Sequence, residues 1–156
     1  ADGHDLSWDN WGGAVELGSD PAIAISGNYM HGVLPALNGW TWIWGCNHDQ
    51  MPKPSVTKAD HYLKMDVNIT RPFAAGTGSF TMKLAGTDID IGHLGIQNDD
   101  GSWSTPGWIT ITFDLATYSA LPDVIPSSGD WGMTLWTGVN MDLTGLYVDN
   151  IRFEHK

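Results

Sequence analysis

The sequence predicts an all-β fold: two antiparallel sheets packed face to face as a jelly-roll-like β-sandwich. Three observations carry this. Several segments alternate apolar and polar residues strictly, the period of a strand with one buried face. The 19 Gly and 8 Pro are spread along the 156 residues rather than clustered, which suits many short strands joined by tight turns. No window of a dozen residues joins a helical apolar period to helix caps without an interrupting Gly or Pro.

Strands are expected, in order, at 22–29, 40–45, 60–69, 79–85, 89–96, 108–115, 133–139 and 146–153. The third is the clearest. Leu63, Met65, Val67 and Ile69 point one way, and Tyr62, Lys64, Asp66 and Asn68 the other. In 79–85, Phe80, Met82 and Leu84 share a face. In 108–115, Ile109, Ile111, Phe113 and Leu115 face the core while Thr110, Thr112 and Asp114 face out. Turn-forming stretches separate the strands: Gly18-Ser19-Asp20-Pro21, Pro52-Lys53-Pro54-Ser55, Asn98-Asp99-Asp100-Gly101 and Pro126-Ser127-Ser128-Gly129. No internal repeat, low-complexity tract or linker interrupts them, so residues 1–156 read as one domain.

Composition narrows the function. With 42% hydrophobic and 16% charged residues the chain can build a core and is not a disordered tail. Its net charge of −11 repels nucleic acid phosphates, anionic lipids and acidic polysaccharides, whereas a neutral ligand meets no such barrier. Cys46 is the one cysteine, so no intrachain disulfide forms. No stretch approaches the roughly 18 apolar residues of a membrane helix.

Nine Trp stand out, because an indole needs close packing and, when buried, a partner for its N–H. In Gly39-Trp40-Thr41-Trp42-Ile43-Trp44-Gly45 a regular strand would put Trp40, Trp42 and Trp44 on one face, neighbours about 6.5–7 Å apart. That spacing is close to one sugar unit. The C–H face of a pyranose packs flat on an aromatic ring, and its hydroxyls then need polar groups alongside. A Trp-rich strand also makes a core. Three indoles crowd a two-layer core about 10 Å thick, however, so at least one or two are expected to face water.

Trp8 and Trp11, in the polar Ser7-Trp8-Asp9-Asn10-Trp11-Gly12-Gly13, and Trp103, in the loop Asp99–Ser104, are further candidate ligand contacts. Trp108, Trp131 and Trp136 read as structural. The outward residues Tyr62, Lys64 and Asp66 are candidate partners for sugar hydroxyls.

Catalytic chemistry is hard to find. Asp88-Ile89-Asp90-Ile91 resembles the acidic strand of β-glucan-cleaving jelly-roll glycosidases, in which two carboxyls about 5–9.5 Å apart flank the bond. Continuing the alternation gives Gly92 and Leu94 and no third acid. The six His lack metal-ligand spacing, and a lyase would want basic residues to neutralise uronates. No cofactor is expected. A structural calcium is the one exception considered, with Asp2, Asp5, Asp99, Asp100 and Asp149 as oxygen donors and no ligand set assigned. The readings that compete with glycan binding are a hydrolase or lyase acting on β-glucan and a structural or adhesive sandwich.

The ordered set Ile25-Ser26-Gly27-Asn28-Tyr29, the Trp-rich strand, Tyr62-Leu63-Lys64-Met65-Asp66-Val67, Gly107-Trp108-Ile109-Thr110-Ile111-Thr112-Phe113-Asp114-Leu115 and Leu146-Tyr147-Val148-Asp149-Asn150-Ile151-Arg152-Phe153 resembles a known family. It is the carboxy-terminal glycan-binding domain of Bacteroidota cell-surface glycan-binding proteins, of which the xyloglucan-binding domain is the best-known example. The resemblance covers nearly the whole chain. It implies a carbohydrate-binding-module type of sandwich without enzymatic activity, binding a β-glucan or related hemicellulose chain on a flat aromatic platform; the domain is expected to be a monomer. In the family that platform draws on a Trp near the domain start and on aromatics after the Ser-Gly-x-Tyr segment. Those places hold Trp8 or Trp11 and Trp40, Trp42 and Trp44. The resemblance also implies the C-terminal part of a longer outer-membrane lipoprotein, beside a SusC-type transporter and a SusD-like protein.

Overall fold

The computed structural model describes residues 14–25, 27–46, 56–76, 78–92, 94–126 and 129–156. The described residues form eleven strands and a single 3₁₀ turn at Leu115–Thr117. The strands are β1 (Val15–Gly18), β2 (Tyr29–Gly32), β3 (Leu37–Cys46), β4 (Val56–Thr57), β5 (His61–Ile69), β6 (Ser79–Leu84), β7 (Thr87–Gly92), β8 (Ile109–Asp114), β9 (Val124–Ile125), β10 (Trp131–Met141) and β11 (Leu146–His155).

Two antiparallel sheets make the sandwich. One has the order β1-β2-β11-β5-β8 and the other β3-β10-β6-β7, with β4 and β9 pairing separately. The alternation read from the sequence supplies the inner faces. Leu63, Met65, Val67 and Ile69 of β5 meet Phe80, Met82 and Leu84 of β6 and Met133 and Leu135 of β10 in one core cluster. Trp131 of β10 and Phe153 of β11 cross between the sheets edge to face, ring centroids 5.5 Å apart.

Departures from the expected strands have local causes. Residues 22–25 form a turn rather than a strand. The Asp20 side chain accepts from the Ala22 N–H at 2.9 Å, and its carbonyl accepts from Ile23 and Ala24, so the chain curls before it can extend. Strand β7 stops at Gly92, whose φ of +54° turns the chain away, four residues short of the expected end.

Two irregularities matter more, because a one-residue slip moves side chains to the opposite face. In β11, Asn150 adopts φ +51° where the register with β5 shifts between Asp149 and Arg152. In β3, Trp44 pairs with Met133 and Trp42 with the next residue, Thr134, leaving Ile43 as the extra residue of a bulge.

Candidate functional site: the outer face of the four-stranded sheet

A sandwich offers two outer faces, and the protein itself occupies one of them. On the five-stranded sheet, Asp66 is 5% exposed and accepts from Thr110, from Asn150 at 2.7 Å and from Arg152 at 3.3 Å. The bulge at Asn150 brings those last two donors together. Lys64 pairs with Glu154, whose carboxyl its hydrogen bond holds below the usual range. Lys156 does the same to Asp114 at 2.6 Å. Both ammonium groups lie over the Tyr62 ring, at 5.6 and 5.1 Å from its centroid.

The other end of this face is covered by the turn at residues 20–25. Asp149 accepts the Ile25 N–H, and the Trp108 indole donates to the Ile23 carbonyl at 2.9 Å. Tyr147 packs there against Tyr29, His31 and Trp108.

The outer face of the four-stranded sheet differs. Trp40 of β3 and Trp136 of β10 stand directly opposite each other across the ladder, 56% and 57% exposed. Trp42 lies beside Trp40, ring centroids 5.6 Å apart and planes at 77°, and is half-buried. Indoles so bare to water lose the packing that normally justifies their size.

Two glycines of β10 make room for these rings. A Cβ on Gly132 would stand 2.4 Å from the Trp44 carbonyl oxygen and 2.7 Å from Cζ3 of Trp42, and one on Gly138 would stand 3.1 Å from Cη2 of Trp136. Beyond Trp136, residues 138–140 loop out of the ladder before pairing resumes at Met141, leaving Val139 exposed at the rim.

Polar side chains continue the same face. Thr134 pairs with Thr81, Trp136 with Ser79, Thr81 with Asp90 and Lys83 with Asp88. Ser79 donates to Asp90 at 3.0 Å, and Lys83 pairs with Asp88 at 2.6 Å. Running from β3 to β7, the face therefore passes from aromatic to hydroxyl to charged groups. It offers flat apolar surface and hydrogen-bonding groups side by side.

The candidate residues separate accordingly. Trp40 and Trp42 fall on this face. Trp44 does not: the bulge at Ile43 sets it opposite Met133, and it is buried with an exposure of 5%. Trp103 is also corrected. It is fully buried, edge to face with Phe73 at 4.8 Å and Phe80 at 5.3 Å, despite its polar neighbours in sequence. Tyr62, Lys64 and Asp66 sit on β5, in the other sheet, and face away from the Trp surface. They cannot share a ligand with it. Trp8 and Trp11 lie outside the described residues, as do Asp2 and Asp5.

Trp136, which the sequence suggests is structural, is the most exposed indole of the face. The alternation does signal this, since Trp136 falls out of step with the core residues Met133 and Leu135 and so points outward.

Asp88 and Asp90 are the only carboxylates on the strands of this sheet, and both are on β7. No second acid on these strands faces them across a bound chain, the arrangement glycoside hydrolysis needs. Among the described residues, no three His, Cys, Asp or Glu side chains converge to hold a metal ion. Asp149 is engaged by the Ile25 and Asn150 N–H groups, and Asp100 by Ser102, whose hydrogen bonds lower its pKa.

A family model described as the surface glycan-binding protein B xyloglucan binding domain matches residues 1–155. Among solved structures, the chain is similar to SGBP-B from a complex xyloglucan utilization locus in Bacteroides uniformis. The TM-score is 0.60 and the identity 12%, over 94% of this chain and 46% of that one. The chain thus spans about half the length of that protein, and the likeness shows a shared fold. A second structure, the CBM22-1 xylan-binding domain of Paenibacillus barcinonensis Xyn10C, aligns with a TM-score of 0.44 and 13% identity, over 95% of this chain and 85% of that one. No curated protein matches the chain.

Proposed function

Because the chain belongs to the surface glycan-binding protein B xyloglucan-binding domain family, we propose that it binds a neutral polysaccharide without cleaving it. The ligand class is a β-glucan or hemicellulose, such as xyloglucan, mixed-linkage glucan, laminarin, mannan or xylan. The observation that carries the reading is the pair of exposed, directly opposed indoles Trp40 and Trp136, with Trp42 beside them. Aromatic rings take the C–H faces of sugar rings, and the half-buried hydroxyls of Ser79 and Thr81 lie beside them to meet sugar hydroxyls. Asp88, Asp90 and the overall negative charge favour uncharged chains.

Capture of glycan at the cell surface follows from the family. The domain would work as a monomeric part of a longer outer-membrane lipoprotein, beside a SusC-type transporter and a SusD-like protein. Several weak sites acting together would raise avidity there.

The test is affinity electrophoresis and calorimetry of the domain against neutral polysaccharides. Trp40→Ala and Trp136→Ala should each weaken binding by about 1–3 kcal/mol, by analogy with a nucleobase stacked on one aromatic side chain, while the melting temperature stays close to that of the parent. Undiminished binding in both variants would discard the site.

A further inference from the structure

The angle between Trp40 and Trp42 bears on which polysaccharide backbone fits. We infer that the site takes a chain whose sugar rings turn steeply about its axis, a β-1,4-linked pentopyranose backbone of the xylan type, in preference to a flat glucan ribbon. The inference rests on the glycan-binding reading above.

Stacking requires the C–H face of a sugar to lie parallel to the indole. In a cellulose-like chain each pyranose is rotated by about half a turn from its neighbour, so successive faces are parallel. Two indoles serving successive sugars of such a ribbon must be nearly coplanar. A β-1,4-xylan turns by about a third of a turn per sugar, and its successive faces meet at a steep angle. Trp40 and Trp42 lie 5.6 Å apart, close to one sugar unit, with planes at 77°. That angle is far from coplanar and suits the turned chain.

The fold holds the angle. Trp42 is half-buried, its six-membered ring filling the space over Gly132, so swinging it level with Trp40 would lift it off the backbone of β10. Trp40, though more than half exposed, rests edge to face against this fixed ring, and that contact keeps the two planes crossed. The chemistry of the sugar points the same way. A pentopyranose carries no exocyclic hydroxymethyl group, so it enters a corner between two crossed indoles where a hexose would press its C6 against one of them. The preference runs against the xyloglucan of the family's description, whose backbone is the flat ribbon.

The experiment compares xylohexaose with cellohexaose, and neutral arabinoxylan with xyloglucan, by calorimetry on the intact domain. The xylo-ligands should bind about tenfold more tightly, the worth of one stacking contact. Trp42→Ala should bring the two hexasaccharides to within about threefold by weakening the xylo-ligand. Cellohexaose or xyloglucan bound as tightly as the xylo-ligands by the native domain would overturn the inference and leave the glycan-binding reading standing. A preference that survives Trp42→Ala would overturn it as well. Binding to none of the four would overturn the inference alone; binding to none of the wider set of neutral polysaccharides, mannan and laminarin included, would remove both.

Discussion

Trp103 and Trp40 carry the same side chain and meet opposite needs. Trp103 is enclosed by Phe73 and Phe80 and paired through its backbone with Phe73 in both directions, so its ring is a core element. Truncating it removes a large buried volume that its neighbours cannot refill. Trp103→Ala should therefore cost about 3–5 kcal/mol in denaturant unfolding, with glycan affinity of the folded fraction unchanged. Trp40, more than half exposed, has little packing to lose. Neighbouring residue types do not separate the two cases: Trp103 lies in a polar, turn-forming stretch and Trp40 in an apolar strand. What separates them is which other aromatics arrive from elsewhere in the chain.

In the strand β10, inward Trp131, Met133 and Leu135 alternate with outward Gly132, Thr134 and Trp136. That reading needs nothing beyond the period of two, and it would have placed Trp136 on the surface. The fate of Trp44 needs more. Its neighbours Trp40 and Trp42 obey the alternation, and Trp44 breaks it because β10 pairs past Ile43. A bulge belongs to two strands at once, and the partner of β3 lies some ninety residues downstream. The glycines of β10 also act at this level. Gly138 does not sit at positive φ, so a larger residue there adopts the backbone without strain and presses first on the Trp136 ring. Gly138→Val should lower glycan affinity several-fold through a tilted indole. Circular dichroism and the melting temperature should remain near those of the parent; equal affinity would show that the ring is free to move aside.

Across the molecule, the two sheets divide the work. The five-stranded sheet covers its outer face with ion pairs and the turn at residues 20–25, and the four-stranded sheet keeps its aromatic face open. The pairing has a consequence for acid stability. Hydrogen bonds from Lys64 and Lys156 hold the Glu154 and Asp114 carboxyls below their usual range. A depressed carboxylate stabilises the fold above its unfolded pKa, about 3.9–4.3, and that contribution is lost as pH falls through the lower folded value. These pairs are exposed and screened, so each contributes little. Melting temperature should hold level from neutrality to about pH 5 and decline below about pH 4. Glu154→Gln combined with Asp114→Asn should make the decline shallower; an identical profile would show that the pairs are not linked to folding.

The all-β class, the inward and outward residues of the regular strands and an abundance of Trp suited to sugar faces were all present in the chain, because alternation and composition are local properties. Three matters waited on the assembled sandwich: that β5 and β3 belong to different sheets, that Ile43 slips the register and buries Trp44, and that Trp136 comes to stand against Trp40. Each depends on pairing between segments far apart in the chain. Partner and register there follow from how two apolar faces fit together, which no single segment encodes.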